Sequence, residues 1–139
     1  MNTFVIDASV AVRWVVDLPF ASEARSFLSF QNRLIAPDFL PAEVGSALTK
    51  LVRAGSLSQA DGVEAYEDFF RAPVRLYPAH PIALTALKTA LKQGRSFYDC
   101  LYLTLAESEG GRFVTADAVF YKAMKGTPHA KHTHFIGQE

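Results

Sequence analysis

Thr3-Phe4-Val5-Ile6-Asp7-Ala8-Ser9 is the stretch whose reading decides the fold. Phe4-Val5-Ile6 is a short apolar run, the pattern of a buried strand. It stops at a carboxylate and two small residues, and Val10 to Asp17 then carries apolar residues on several sides until Pro19. That is a strand leading into a helix. The same alternation recurs outward from it. Leu34-Ile35-Ala36 reads as a strand ended by Pro37, Val74 to Tyr77 as one bounded by Pro73 and Pro78, and Phe113-Val114-Thr115 as another. His134-Phe135-Ile136 suits a last edge strand. Helical spacing is expected over Phe20 to Phe30, with apolar residues at 20, 24, 27, 28 and 30. A second helix starts at Pro41, which suits a first turn, and runs to about Ala54, with Gly55 as its stop. Ser58 caps Gln59 to Arg71, Gly94 ends Ile82 to Leu91, Ser96 opens Phe97 to Glu109, and a short helix follows near Ala118 to Met124.

Short strands alternating with helices predict an α/β domain with a mostly parallel central sheet covered on both faces. With 139 residues, half of them hydrophobic, the chain suits one compact domain spanning 1–139 and excludes a mostly disordered one. Lys plus Arg equals Asp plus Glu at 14 each, so bulk attraction to nucleic acid is not expected. The end after Asp117 is locally basic, with Lys122, Lys125 and Lys131 against Glu139. A single cysteine, Cys100, forms no internal disulfide and fits a reducing compartment. No basic n-region precedes the first strand and no apolar stretch is long enough to span a bilayer, so a cytoplasmic location is expected.

Four carboxylates stand at the ends of these apolar elements. Asp7 follows the first strand, Glu43 heads the helix after Pro41, Asp99 opens the segment Phe97 to Leu103, and Asp117 follows Phe113 to Ala116. Each has a sufficient structural explanation of its own. Asp7 and Asp117 suit helix caps, with Ser9 and Thr115 beside them. Glu43 is favoured by the helix dipole by about 0.3–1 kcal/mol. Ser96-Phe97-Tyr98-Asp99 matches a capping box, and Arg95 could pair with Asp99 across a turn. Taken together they say more, because ligands of open parallel sheets bind at the C-terminal ends of strands. Two carboxylates about 4 Å apart repel by roughly 4 kcal/mol at an effective dielectric near 20, and a hard divalent cation reverses that balance.

Ile6-Asp7-Ala8-Ser9, Pro41-Ala42-Glu43-Val44, Ser96-Phe97-Tyr98-Asp99 and Val114-Thr115-Ala116-Asp117 resemble the four motifs of PIN-domain nucleases. Chain length and helix order are similar to the VapC-type toxins of toxin–antitoxin pairs. The resemblance implies a three-layer α/β/α sandwich and a Mg²⁺- or Mn²⁺-dependent endoribonuclease acting on RNA phosphodiesters. It implies an acidic site of Asp7, Glu43, Asp99 and Asp117, with Asp7 and Asp99 on the metal and Glu43 and Asp117 bound directly or through water. Ser9, Ser96 and Thr115 occupy the small hydroxyl positions that accompany the acids. A homodimer and a cognate VapB-type antitoxin are implied as well.

Arg13, Arg95, Lys122 and Lys125 are candidates for contacts to the RNA backbone, which position a strand without reading it. Trp14, Tyr98 and Tyr102 could stack on bases, but their helical spacing favours the core. His129, His132 and His134 raise the idea of a zinc site, against which Cys100 lies far off in sequence. A dehalogenase-like phosphatase would want an acid where Ser9 stands, and a receiver domain would want paired acids at the first strand end. The competing function is a catalytically silent PIN-like module acting through an antitoxin or another partner.

Overall fold

A computed structural model describes residues 1–137. Five strands, β1 (Asn2–Ile6), β2 (Asn32–Pro37), β3 (Val74–Tyr77), β4 (Arg112–Thr115) and β5 (Thr133–Phe135), form one sheet in the order β3-β2-β1-β4-β5. Every pairing is parallel. Val5 lies level with Ile35 on one side and Phe113 on the other, so the central strands end together. From β1 the chain works outward to β2 and β3, then returns to β1's other flank with β4. That reversal between β1 and β4 opens a crevice above their C-terminal ends. Asp7 and Asp117 lie just past those two ends.

Helices α1 (Ala8–Val15), α2 (Ala21–Ser26), α3 (Leu40–Arg53) and α4 (Gln59–Phe69) gather around α1 as one layer. Helix α6 (Phe97–Ser108) lies against β1, β2 and β4 and is backed by α5 (Ala83–Gln93), forming the other. The short α7 (Ala118–Met124) packs on β4 and β5. Since α6 has the sheet on one side and α5 on the other, every residue from Cys100 to Ala106 is buried. A helix that is apolar nearly all round is the sequence signature of that position. The α/β sandwich predicted from the sequence is the one observed. Among the described residues no helix is long and apolar enough to cross a membrane. The expected 1–139 extent includes residues 138–139, which lie outside the described ones.

Local boundaries differ where side-chain spacing misleads. The helix expected over 20–30 covers only Ala21–Ser26. Phe20 holds φ 68°, a left-handed conformation no helix can include. At the other end Phe27 and Leu28 bond three residues back, to Ala24 and Arg25, which tightens and ends the helix. Phe27 then packs edge-on to Phe4, while Phe30 is exposed. The last strand begins one residue earlier than expected, at Thr133, and Ile136 continues its bonding through Thr115 O.

Gly111 lies tight against the backbone of β1. A Cβ added there would stand 2.6 Å from the carbonyl oxygen of Thr3. Gly111→Ala should therefore destabilise the protein by about 1–3 kcal/mol in urea unfolding, the usual penalty of overpacking. An unchanged midpoint would contradict so tight an approach.

Candidate metal and nucleic-acid site

The four acids come from four helix starts. Asp7 is the N-cap of α1, where its Oδ1 accepts from the Val10 amide at 3.1 Å and from the Ser9 hydroxyl at 2.6 Å. It is 8% exposed. Burial pushes its carboxyl up to about 7, the two hydrogen bonds oppose this, and the charges of Asp99 and Glu43 push it further up. Glu43 sits in the first turn of α3 and accepts a hydrogen bond from the Tyr102 hydroxyl at 2.6 Å. Asp99 sits in the first turn of α6, its amide donating to the Ser96 hydroxyl at 3.3 Å. Burial raises its carboxyl to about 6, helped by the charges of Asp117 and Glu43 and opposed by Arg95. Asp117 is the exposed N-cap of α7. Its Oδ1 accepts from the Val119 and Phe120 amides, and its own amide donates to Thr115 Oγ1 at 3.0 Å.

The electrostatic couplings show the arrangement. Asp7 is influenced by Asp99 and Glu43, and Asp99 by Asp117 and Glu43. Asp99 is thus the hub, and residues separated by up to 110 positions share one field. Such a set of hard, mutually repelling oxygens suits a divalent cation. Among the described residues no three His, Cys, Asp or Glu side chains converge closely enough to grip an ion together. The donors fit Mg²⁺ none the less, since it keeps several waters and takes only one or two carboxylates. The hydroxyls behave as supports for the acids: Ser9 and Thr115 bond to Asp7 and Asp117, and Ser96 caps Asp99's helix.

The basic and aromatic candidates separate. Arg13 Nε donates to Pro19 O and its Nη1 to Ser9 O, so its guanidinium braces the loop after α1. Arg95 acts on Asp99 by charge, without an ion pair at contact distance among the described residues, and its buried Nε has no hydrogen-bond partner. Lys122 is exposed on α7. Lys125 is the residue that ends the helix rather than part of it, and its ammonium sits 5.3 Å from the centre of the Tyr121 ring. Trp14 is core, with its indole N–H on Ala24 O. Tyr98 is not core: it is 54% exposed. The histidines have separate duties: His129 pairs with Glu107 at 2.9 Å, His132 bonds Gly111 O, and His134 lies on β5 edge-on to Phe4. No zinc cluster forms among the described residues.

Residues 4–126 match the PIN domain. The chain belongs to the PIN-domain family. It is 31% identical to Ribonuclease VapC9 of Mycobacterium tuberculosis over 113 residues, 81% of this chain and 84% of that one. Two solved structures show the same PIN fold. One is PAE2754 from Pyrobaculum aerophilum, at TM-score 0.66 and 22% identity over 91% of this chain and 82% of that one. The other is VapBC2 from Rickettsia felis bound to a DNA fragment from its promoter, at TM-score 0.64 and 12% identity over 96% and 98%.

The raised Asp7 carboxyl has a consequence for stability. Between its unfolded value of 3.8 and its folded value of about 7 the native state binds more proton than the unfolded chain. Its stabilising contribution is therefore complete below pH 3.8 and is lost as pH rises through about 7. One proton sets a limiting slope of about 1.4 kcal/mol per pH unit. Asp7→Asn should flatten the pH dependence of metal-free stability between pH 5 and about 7, and should stabilise the metal-free protein at pH 8. Urea unfolding in chelator across this range measures both, and parallel curves for the two proteins would contradict the assignment.

Proposed function

We propose that this PIN-domain protein is a Mg²⁺- or Mn²⁺-dependent endoribonuclease and the toxin of a VapBC-type toxin–antitoxin pair. One observation carries the reading: Asp99 shares its field with Asp7, Glu43 and Asp117, two of which lie just past the ends of β1 and β4 at the switch point. The ribonuclease name of its VapC9 relative supports the RNA substrate, and the VapBC2 complex supports a VapB-type antitoxin. Asp7 and Asp99 would hold the ion, with Glu43 and Asp117 bound directly or through water. When bound, it supplies charge neutralisation at the phosphate and activates water near neutral pH.

The chain's own residues do the rest. Val10 N–H and Ser9 fix Asp7, the α7 amides fix Asp117, and Tyr102 holds one oxygen of Glu43. Carboxylates held in this way would orient water for in-line attack. Lys122 and Arg95 are the basic groups to steady the RNA backbone. Water attacks phosphorus and the 3′-oxygen leaves as a hydroxyl, so the ribose 2′-hydroxyl is not the nucleophile and the product carries a 5′-phosphate. A cytoplasmic location belongs to the same proposal, since the cell's own RNA is the substrate it names. The exposed apolar side chains Leu84, Leu87 and Leu91 on α5, beside Phe97, supply a face for a homodimer.

A second reading is a catalytically silent PIN-like module, favoured by the absence of a tight three-donor cluster among the described residues. Metal response separates the two. Millimolar Mn²⁺ should raise the melting temperature of the wild type by stabilising the native state, and Asp99→Asn should remove that rise. RNA cleavage should fall by at least about two orders of magnitude in Asp99→Asn, beyond the 10–100-fold typical of outer-shell changes. Full activity in Asp99→Asn, or a 2′,3′-cyclic phosphate end on the product, would contradict the mechanism. No Mn²⁺ shift in the wild type would favour the silent module.

A further inference from the structure

Tyr102 stands three residues after Asp99 on α6, one turn further along the same helix face. It is 1% exposed, so its hydroxyl needs a partner inside the protein. That partner is Glu43, which accepts at 2.6 Å through Oε1. The ring is clamped from two directions. It stacks on Phe113 of β4 at 5.5 Å and 14°, and Phe39, at the start of α3, meets it edge-on at 5.4 Å. The contacts therefore join the three elements that present Asp99, Asp117 and Glu43. No other hydrogen bond from the described residues reaches the Glu43 carboxylate, whose long side chain would otherwise swing freely.

We propose that Tyr102 is a positioning residue of the acidic site: its clamped phenol fixes the Glu43 carboxylate toward Asp7 and Asp99 and commits Oε1, leaving Oε2 to water or the cation. The catalytic part of this inference rests on the nuclease reading above; the orientation of Glu43 does not. The geometry suits the task. A stacked ring has two torsions, both locked here by packing, whereas a lysine or arginine holding the same oxygen would keep more freedom. A neutral donor also leaves the carboxylate's charge available to a metal, which an ammonium would cancel. Groups of this kind orient ligands, and their loss typically weakens metal affinity 10–100-fold.

Tyr102→Phe keeps the ring and its stacking and removes one O–H. Three readouts decide the matter on the full chain. The ¹³C resonance of the Glu43 side-chain carboxyl should move in Tyr102→Phe, while circular dichroism stays that of the wild type. Mn²⁺ affinity, read from the electron paramagnetic resonance of the free ion, should weaken about 10-fold. The kcat for RNA cleavage should fall by a similar factor with KM within about twofold, because RNA binding does not use the phenol. The Mn²⁺-affinity and kcat effects should vanish when Tyr102→Phe is made on Glu43→Ala, since the phenol acts through that side chain alone. An unmoved Glu43 resonance, unchanged Mn²⁺ affinity, or an equal loss in the Glu43→Ala background would overturn the proposal and leave Tyr102 a core residue only. A wild type that neither binds Mn²⁺ nor cleaves RNA would refute the nuclease reading instead. The Glu43 resonance would then decide the positioning claim by itself.

Discussion

Like charges repel, and Asp7, Glu43, Asp99 and Asp117, the acids of the proposed site, are linked by that repulsion while Asp7 is buried. Carboxylates on free side chains would swing apart, so the fold must hold them. It does so by placing all four at helix starts, those of α1, α3, α6 and α7. The unpaired amides and the positive dipole end at each start offset part of the repulsion. Asp7 and Asp117 are tied directly by backbone N–H groups, and Glu43 by a phenol. Capping and metal binding are therefore not rival explanations of these residues. The same amides that satisfy a cap hold one oxygen of Asp7 and of Asp117 still.

That constraint reaches back into the core. β1 lies at the centre of the sheet, and α6 can be buried along its whole middle only because α5 backs it. Asp99 opens this rigid helix, which explains why an acid with so little local support can act as the electrostatic hub. Burial first, and the remaining repulsion after it, raise the proton affinity of Asp7 and Asp99. A cation able to replace those protons gains from the same arrangement.

Much of this was legible in the sequence. Apolar runs at Phe4, Leu34 and Phe113, broken by proline or an acid, predicted the buried strands because these leave no room for polar alternation, and the prolines flanking Val74 to Tyr77 marked the edge strand. The acids could be picked out because charge at the end of an apolar run is rare. Three things were hidden. Phe20's left-handed backbone is invisible to a spacing argument, so the helix from 20 to 30 was drawn too long. Arg13 looked like a free cation, but its carbonyl partners Ser9 O and Pro19 O depend on how the loop turns. Tyr102 was read as core and Tyr98 grouped with it; one is buried and one exposed, a distinction set by where α3 delivers Phe39, which touches both rings. Phe20's backbone and Arg13's partners are set by how the loop after α1 turns, and the tyrosines' burial by a distant helix, none of which leaves a spacing pattern.

The account stands on the claim that the acids of four distant segments serve one cation. Anomalous X-ray scattering from crystals grown with Mn²⁺ tests it most directly. The account predicts a peak between the carboxylates of Asp7 and Asp99, at the C-terminal ends of β1 and β4, with Glu43 and Asp117 reaching it directly or through water. A saturated crystal whose only Mn²⁺ lies elsewhere, or that shows none at all, would contradict it.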